Sequence, residues 1–292
     1  MTVCVAVLCD DGKAIVLASD KMIGKGYIEG EPDIAKLQMI HPHWMMMLSG
    51  NDISPLLDIA DLARCELPPT REASLETVKE VMQRNYELIR MKRAEATFLK
   101  PIGWTIERFT RDGNQSLLNY EHVQSRISEY ELDVTILVAG FDRTLEPAGK
   151  IFTMSGENRG IPIRCDIPGF ATIGSGGIGA EYMLFFRDVS QKLPTRAAVY
   201  YALEAKYFGE KASGVGVRTD MFVLRFDGTL MQVVPVNDEK TIERRLIPIC
   251  ERLEPQELTN SDRDVLNTLP ELKGLPNLPK KREKAKKKSK GK

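Results

Sequence analysis

The chain has 292 residues, 42% of them apolar, with 41 basic and 41 acidic side chains. That is enough for one large domain or two small ones with a sizeable core. No apolar run reaches membrane-spanning length. The start lacks a basic region ahead of its apolar runs, so no secretory signal is expected and the expected location is cytoplasmic. The charge is uneven. Nine basic residues and one acid lie between Lys280 and Lys292, which leaves 32 basic against 40 acidic residues in the remainder. The five cysteines, Cys4, Cys9, Cys65, Cys165 and Cys250, are odd in number and lack metal-site or redox spacing, which fits a reduced compartment.

Thr2 stands directly behind Met1. Two apolar runs follow, Val3 to Leu8 and Ala14 to Ala18, joined by a turn that contains Asp11-Gly12. This is a hairpin signal. Asp20 ends the second run, and a Gly-rich loop leads to Lys36. A third apolar run spans Leu37 to Leu48 and ends in Ser49-Gly50-Asn51-Asp52. Within it, a turn at His41-Pro42-His43 is expected in preference to a metal site. Met45, Met46 and Met47 are expected to fill core space on both faces of a strand.

A helix is expected from a Ser54 cap, with Pro55 in its first turn, to Leu67-Pro68-Pro69. A second starts near Ser74 and continues to about Ala96. Phe98 to Tyr130 is mixed, with a helix from Glu121 to Tyr130. Val134 to Phe141 reads as a buried strand and Ile151 to Met154 as its hairpin partner. Pro168 to Ile173 leads into Gly174-Ser175-Gly176-Gly177. Helices are expected from Ile178 to Lys192 and from a Thr195 cap to Phe208. A loop over Gly209 to Gly216 and a hairpin around Asp227-Gly228 complete the pattern. Helices come in blocks between antiparallel hairpins, which argues against a doubly wound parallel sheet. It fits an α+β fold with two antiparallel sheets between helix layers.

The order Thr2, Asp20, Lys36, Gly50 resembles the proteasome β-type family of N-terminal nucleophile (Ntn) hydrolases, in particular bacterial-type proteasome-like threonine peptidases. The first hairpin is about two residues longer than usual for that family. The resemblance covers roughly Thr2 to Val234, apart from Phe98 to Tyr130, which has no counterpart and is taken as an insertion after the second helix. It implies a four-layer αββα sandwich. The expected organisation is one Ntn-hydrolase domain over 2–260, with the insertion at 98–130, and a polar, disordered basic tail over 261–292.

The chemistry needs a base for the Thr hydroxyl. A free α-amine on the same residue serves, so Met1 must be removed. Its ordinary pKa, about 7.7–8.0, leaves much of it neutral near physiological pH. Lys36 would supply an ammonium that favours the neutral amine and stabilises developing negative charge. Asp20 would be its counter-ion. Gly50 would offer a backbone N–H to the oxyanion. The resemblance further implies that Ser175 and Ser213 contact the amine, and that Glu210 stands where the family has Asp. It also implies that Ile34 and Leu48 line the first specificity pocket, so cleavage after apolar residues is expected.

The leading reading is a threonine-type endopeptidase acting on peptides or unfolded proteins through an acyl-enzyme on Thr2. It needs no metal and no organic cofactor. It implies a homo-oligomeric ring and a separate unfoldase ATPase. The alternatives are a non-catalytic structural subunit of a proteasome-like particle and a small-molecule amidase with the same nucleophile. The Lys tail lacks interleaved aromatics and any nucleic-acid fold signature, so nucleic acid is not an expected partner.

Overall fold

The structure is a computed structural model that describes residues 2–25, 28–30, 36–116, 119–234 and 260–268. Ile34, Cys250 and the tail beyond Thr268 lie outside the described residues.

Alternation along the strands dictates the architecture. In β1 (Cys4–Cys9) and the residue before it, Val3, Val5 and Val7 point to one side, and Cys4, Ala6 and Leu8 to the other. β2 (Ala14–Asp20) repeats this with Val16 and Ala18 against Ile15 and Leu17. β6 (Trp44–Gly50), the second arm of a hairpin with β5 (Leu37–His41), splits Met46 and Leu48 from Met45 and Met47. A strand with two apolar faces must be covered on both, and each face here has its own partner.

Two five-stranded antiparallel sheets result. β7 (Val134–Phe141), β8 (Gly149–Ser155) and β9 (Ile163–Arg164) extend one, in the order β5-β6-β7-β8-β9. β10 (Phe170–Ile173), β11 (Thr219–Arg225) and β12 (Leu230–Val234) complete the other, in the order β10-β1-β2-β11-β12. A short pair, β3 (Ile23–Lys25) and β4 (Ile28–Gly30), stands apart. Ala6, Leu8 and Leu17 of one sheet share a core with Met45, Met47 and Leu137 of the other. The opposite face of the β1–β2 sheet packs on α5 (Gly177–Phe186) and α6 (Thr195–Gly209). The opposite face of the β6–β7 sheet packs on α1 (Ser54–Glu66) and α2 (Leu75–Ala94). Each fully buried Leu, Ile, Val or Met contributes about 1.5–3 kcal/mol of transfer free energy.

The run from Leu37 to Leu48 is therefore two strands, turning at Pro42-His43, and the three methionines divide between two cores as the alternation requires. The Nε2 of His41 lies 2.9 Å from the Arg71 carbonyl oxygen, and its Nδ1 accepts from the His43 N–H.

Three helix boundaries differ from the sequence reading. Ser54 is the first helical residue of α1 and not its cap; Asp52 accepts the Ser54 N–H at 2.9 Å instead. Thr195 likewise sits inside α6, and its N–H and hydroxyl are bound by Asp10 from the first hairpin. The helix expected to reach Lys192 stops at Phe186, and Asp188 then takes a left-handed backbone conformation with φ 49°. Ser74 does cap α2, accepting the Thr77 N–H.

Residues 98–130 hold α3 (Ile106–Ser116) and α4 (Tyr120–Glu129) over a small core of Ala94, Leu99, Phe109 and Ile127. Arg90 of α2 donates to the Ile127 and Tyr130 carbonyls and ties this unit down. The last described helix, α7 (Asn260–Thr268), runs past the expected domain boundary at 260. Its Leu266 is buried with the α6 residues, and Arg196 donates to its carbonyl.

Candidate active site

Strand register brings the site together. Cys4 lies opposite Ser19, so the end of β2 comes beside the start of β1. There Asp20 Oδ1 accepts the Val3 N–H at 2.9 Å, and the Asp20 N–H returns a bond to the Val3 carbonyl. Cys4 also lies opposite Ile173 of β10, which delivers Gly174-Ser175-Gly176 to Thr2. Gly176 N–H donates to the Thr2 carbonyl at 3.1 Å, and Thr2 N–H donates to Ser175 Oγ at 3.3 Å. Gly174 has φ 90°, and a Cβ there would lie 2.2 Å from the Thr2 carbonyl oxygen. Only glycine fits.

Lys36, just before β5, approaches from the other sheet. Its ammonium donates to Thr2 Oγ1 at 2.5 Å and to Asp20 Oδ1 at 2.8 Å. Lys36 is 5% exposed and Asp20 fully buried, so water does little to screen the pair. Asp20 Oδ2 accepts two further bonds, from Met22 N–H at 3.0 Å and Gly216 N–H at 3.1 Å. The carboxylate is fully engaged, which is what allows a charge to sit there. A second buried pair lies alongside, Lys21 with Asp220 at 3.2 Å.

Gly50 ends β6 opposite Val134, where a Cβ would lie 2.7 Å from the Asp133 carbonyl oxygen. Gly50, Gly174 and Ser175 line one cavity of about 740 Å3. This cavity reaches the residues that touch Thr2, and Thr2 itself is 4% exposed.

Three other positions singled out in the sequence sit differently. Glu210 ends α6, and its carboxylate is bound by Lys206 one turn back. Burial pushes its carboxyl up, while Lys206 opposes that. No bond from Glu210 reaches Thr2, because a fully buried ammonium four residues away claims it first. Lys206 also donates to the Val217 carbonyl and so holds the loop that supplies Gly216. Ser213 is exposed and makes no side-chain hydrogen bond among the described residues. Leu48 packs with the α1 and α2 core and does not line the cavity. The alternation that turns Met46 and Leu48 toward the helices leaves Ser49 on the cavity side.

The sequence pattern assigns Gly174, Gly216, Ser49 and the Lys21–Asp220 pair no role in the site. The Gly174-Ser175-Gly176-Gly177 run carried the signal for the first. The others depend on strand register, which local sequence does not display.

No family model matches the sequence, and no curated protein matches it. Among solved structures, Anbu (ancestral beta-subunit) from Yersinia bercovieri is similar, with a TM-score of 0.58 and 15% identity. The match covers 88% of this chain and 100% of that one. At this identity the likeness establishes the fold alone, a proteasome-like one.

Proposed function

We propose that this chain is an N-terminal-threonine peptidase of proteasome β type, acting once Met1 has been removed. The observation that carries the reading is the Lys36 ammonium, held 2.5 Å from Thr2 Oγ1 by its 2.8 Å bond to Asp20. The paired packing surfaces support a four-layer αββα sandwich of Ntn-hydrolase type, with the domain spanning about 2–268.

In this reading Thr2 Oγ bonds to the carbonyl carbon of a peptide while its proton passes to the Thr2 α-amine. Lys36 stabilises the charge on the nucleophile, and the Gly50 N–H faces the oxyanion. The C–N bond then breaks, and the departing amine takes the proton from the α-ammonium. Water then bonds to the ester carbonyl carbon as one of its protons passes to the α-amine; the Oγ–carbon bond breaks, Thr2 Oγ takes that proton back, and the peptide leaves as its carboxylic acid. Ser175 orients the amine. Every group the cycle needs is supplied by Thr2, Lys36, Asp20, Ser175 and the Gly50 backbone. The proposal extends to a homo-oligomeric ring in the cytoplasm, fed by a separate unfoldase.

Hydrolysis of fluorogenic peptides by the processed wild-type protein tests this. Thr2→Ala should abolish the activity and Lys36→Ala should lower kcat by about 10²–10⁴. Undiminished hydrolysis by Thr2→Ala would overturn the reading. Inert wild-type rings would favour a structural subunit, and turnover of small amides but not peptides would favour an amidase.

A further inference from the structure

The cavity beside Thr2 carries charge that the proposed chemistry does not use. Glu131, Asp133, Glu157 and Glu181 line it, and no Lys or Arg does among the described residues. They come from three places: the approach to β7, the turn after β8, and α5. All four are exposed, and none joins an ion pair among the described residues. Asp133 accepts one bond, from the Asn51 amide. Like charges gathered on the walls of one cleft focus a negative potential inside it.

A second observation comes from the inner wall. Ser49 is 8% exposed and lines the cavity. Its hydroxyl makes no hydrogen bond among the described residues and opens onto the cavity, where a ligand can meet it. Its Oγ would be 3.0 Å from a Cβ at Gly174, beside Thr2. An unpartnered donor and acceptor at the reactive end of an anionic cleft is suited to a ligand with both a polar backbone and a positive charge.

We infer that this cavity is a subsite for the cationic side chain, Lys or Arg, of a bound peptide. The inference deepens the peptidase reading and rests on it for one point, the direction of the peptide. A leaving amine must collect its proton from the Thr2 nitrogen. That nitrogen faces Ser175, which lines the cavity. The segment that departs with the amine therefore lies in the acidic cleft. The Leu48 side chain, turned to the helix core, offers no apolar wall here.

Equilibrium binding tests the inference without turnover. A fluorescein-labelled peptide with a central Lys-Arg and its Glu-Glu counterpart are titrated with Thr2→Ala protein, read by anisotropy at low salt. The basic peptide should bind roughly tenfold tighter or more, and the difference should shrink as salt rises. Asp133→Asn with Glu181→Gln should bring the two peptides close together. Asp58→Asn with Glu80→Gln, an equal loss of negative charge on the exposed faces of α1 and α2, should leave the difference intact. Equal binding of both peptides, or an equal effect of the remote pair, would overturn the inference. So would displacement by free spermidine at concentrations as low as those of the basic peptide, which would make the ligand a polyamine. Failure of the peptidase reading shows separately, as absent hydrolysis, and leaves the binding result interpretable.

Discussion

Lys36 can stand beside Thr2 only because Asp20 is there. Taking an ammonium out of water costs several kcal/mol, and its bond to a buried carboxylate offsets that cost only while the carboxylate is itself satisfied. Asp20 meets the condition with Val3, Met22 and Gly216 as further donors. Asp20→Ala should therefore lower stability by about 3–5 kcal/mol in urea unfolding. A loss below about 1 kcal/mol would mean the pair is solvated and the site geometry wrong. Cys4 provides a second test at this scale. Burial pushes its thiol up to about 12, and the same holds for Cys9. At pH 8 the thiolate fraction is on the order of one in ten thousand. Iodoacetamide on the folded protein should label the exposed Cys65 and spare both. Rapid labelling of Cys4 would show that β1 is open to water. The sequence alone marked Thr2, Asp20 and Lys36 by their order. It could not mark Ser49, whose importance comes from the face it occupies, nor pair Lys21 with Asp220, which are far apart in the chain.

At the scale of elements, the long first hairpin has a structural use. Asp10, Asp11 and Gly12 all have positive φ, of 49°, 56° and 77°. The Asp10 and Asp11 N–H groups donate to Leu193 and Gln191, and the Asp10 carboxylate binds the first turn of α6. The residues of this turn thus anchor the linker between α5 and α6. Asp10→Ala should cost about 0.5–2 kcal/mol, as for loss of a helix cap, and lower Tm by several degrees. An unchanged Tm would mean that α6 is held by its packing alone. This is also why Thr195 resembles a cap in the sequence. Alternating apolar residues reveal a strand locally, and Ser74 reveals its helix locally. A cap supplied from 185 residues away leaves no local trace. The end of α5 escaped for a related reason, since a left-handed residue at Asp188 stops a helix whose composition would allow it to continue.

At the scale of the molecule, the two sheets meet through one shared core, with helices on each outer face, and the candidate site gathers the starts of β1 and β5 and the ends of β2, β6 and β10. The two antiparallel sheets were legible, because blocks of helices between hairpins restrict the topology. The packing of Leu266 was not, since the pair Val265-Leu266 in a polar stretch makes no periodic pattern. With a mixed peptide pool, cuts should show Lys or Arg enriched on the C-terminal side of the cleaved bond. Enrichment of Asp or Glu there would contradict the charge of the cleft. Removing Lys280 to Lys292 should leave hydrolysis unchanged, and lost activity would assign the tail a part in the site or its assembly. The most direct test of the central claim is the intact mass of the purified protein before and after an epoxyketone that forms a ring only with the hydroxyl and amine of an N-terminal Thr. The account predicts a chain lacking Met1 whose mass rises by one inhibitor, and no gain in Lys36→Ala on the same time scale. A chain that keeps Met1, or a processed chain in assembled particles that gains no mass, would contradict it.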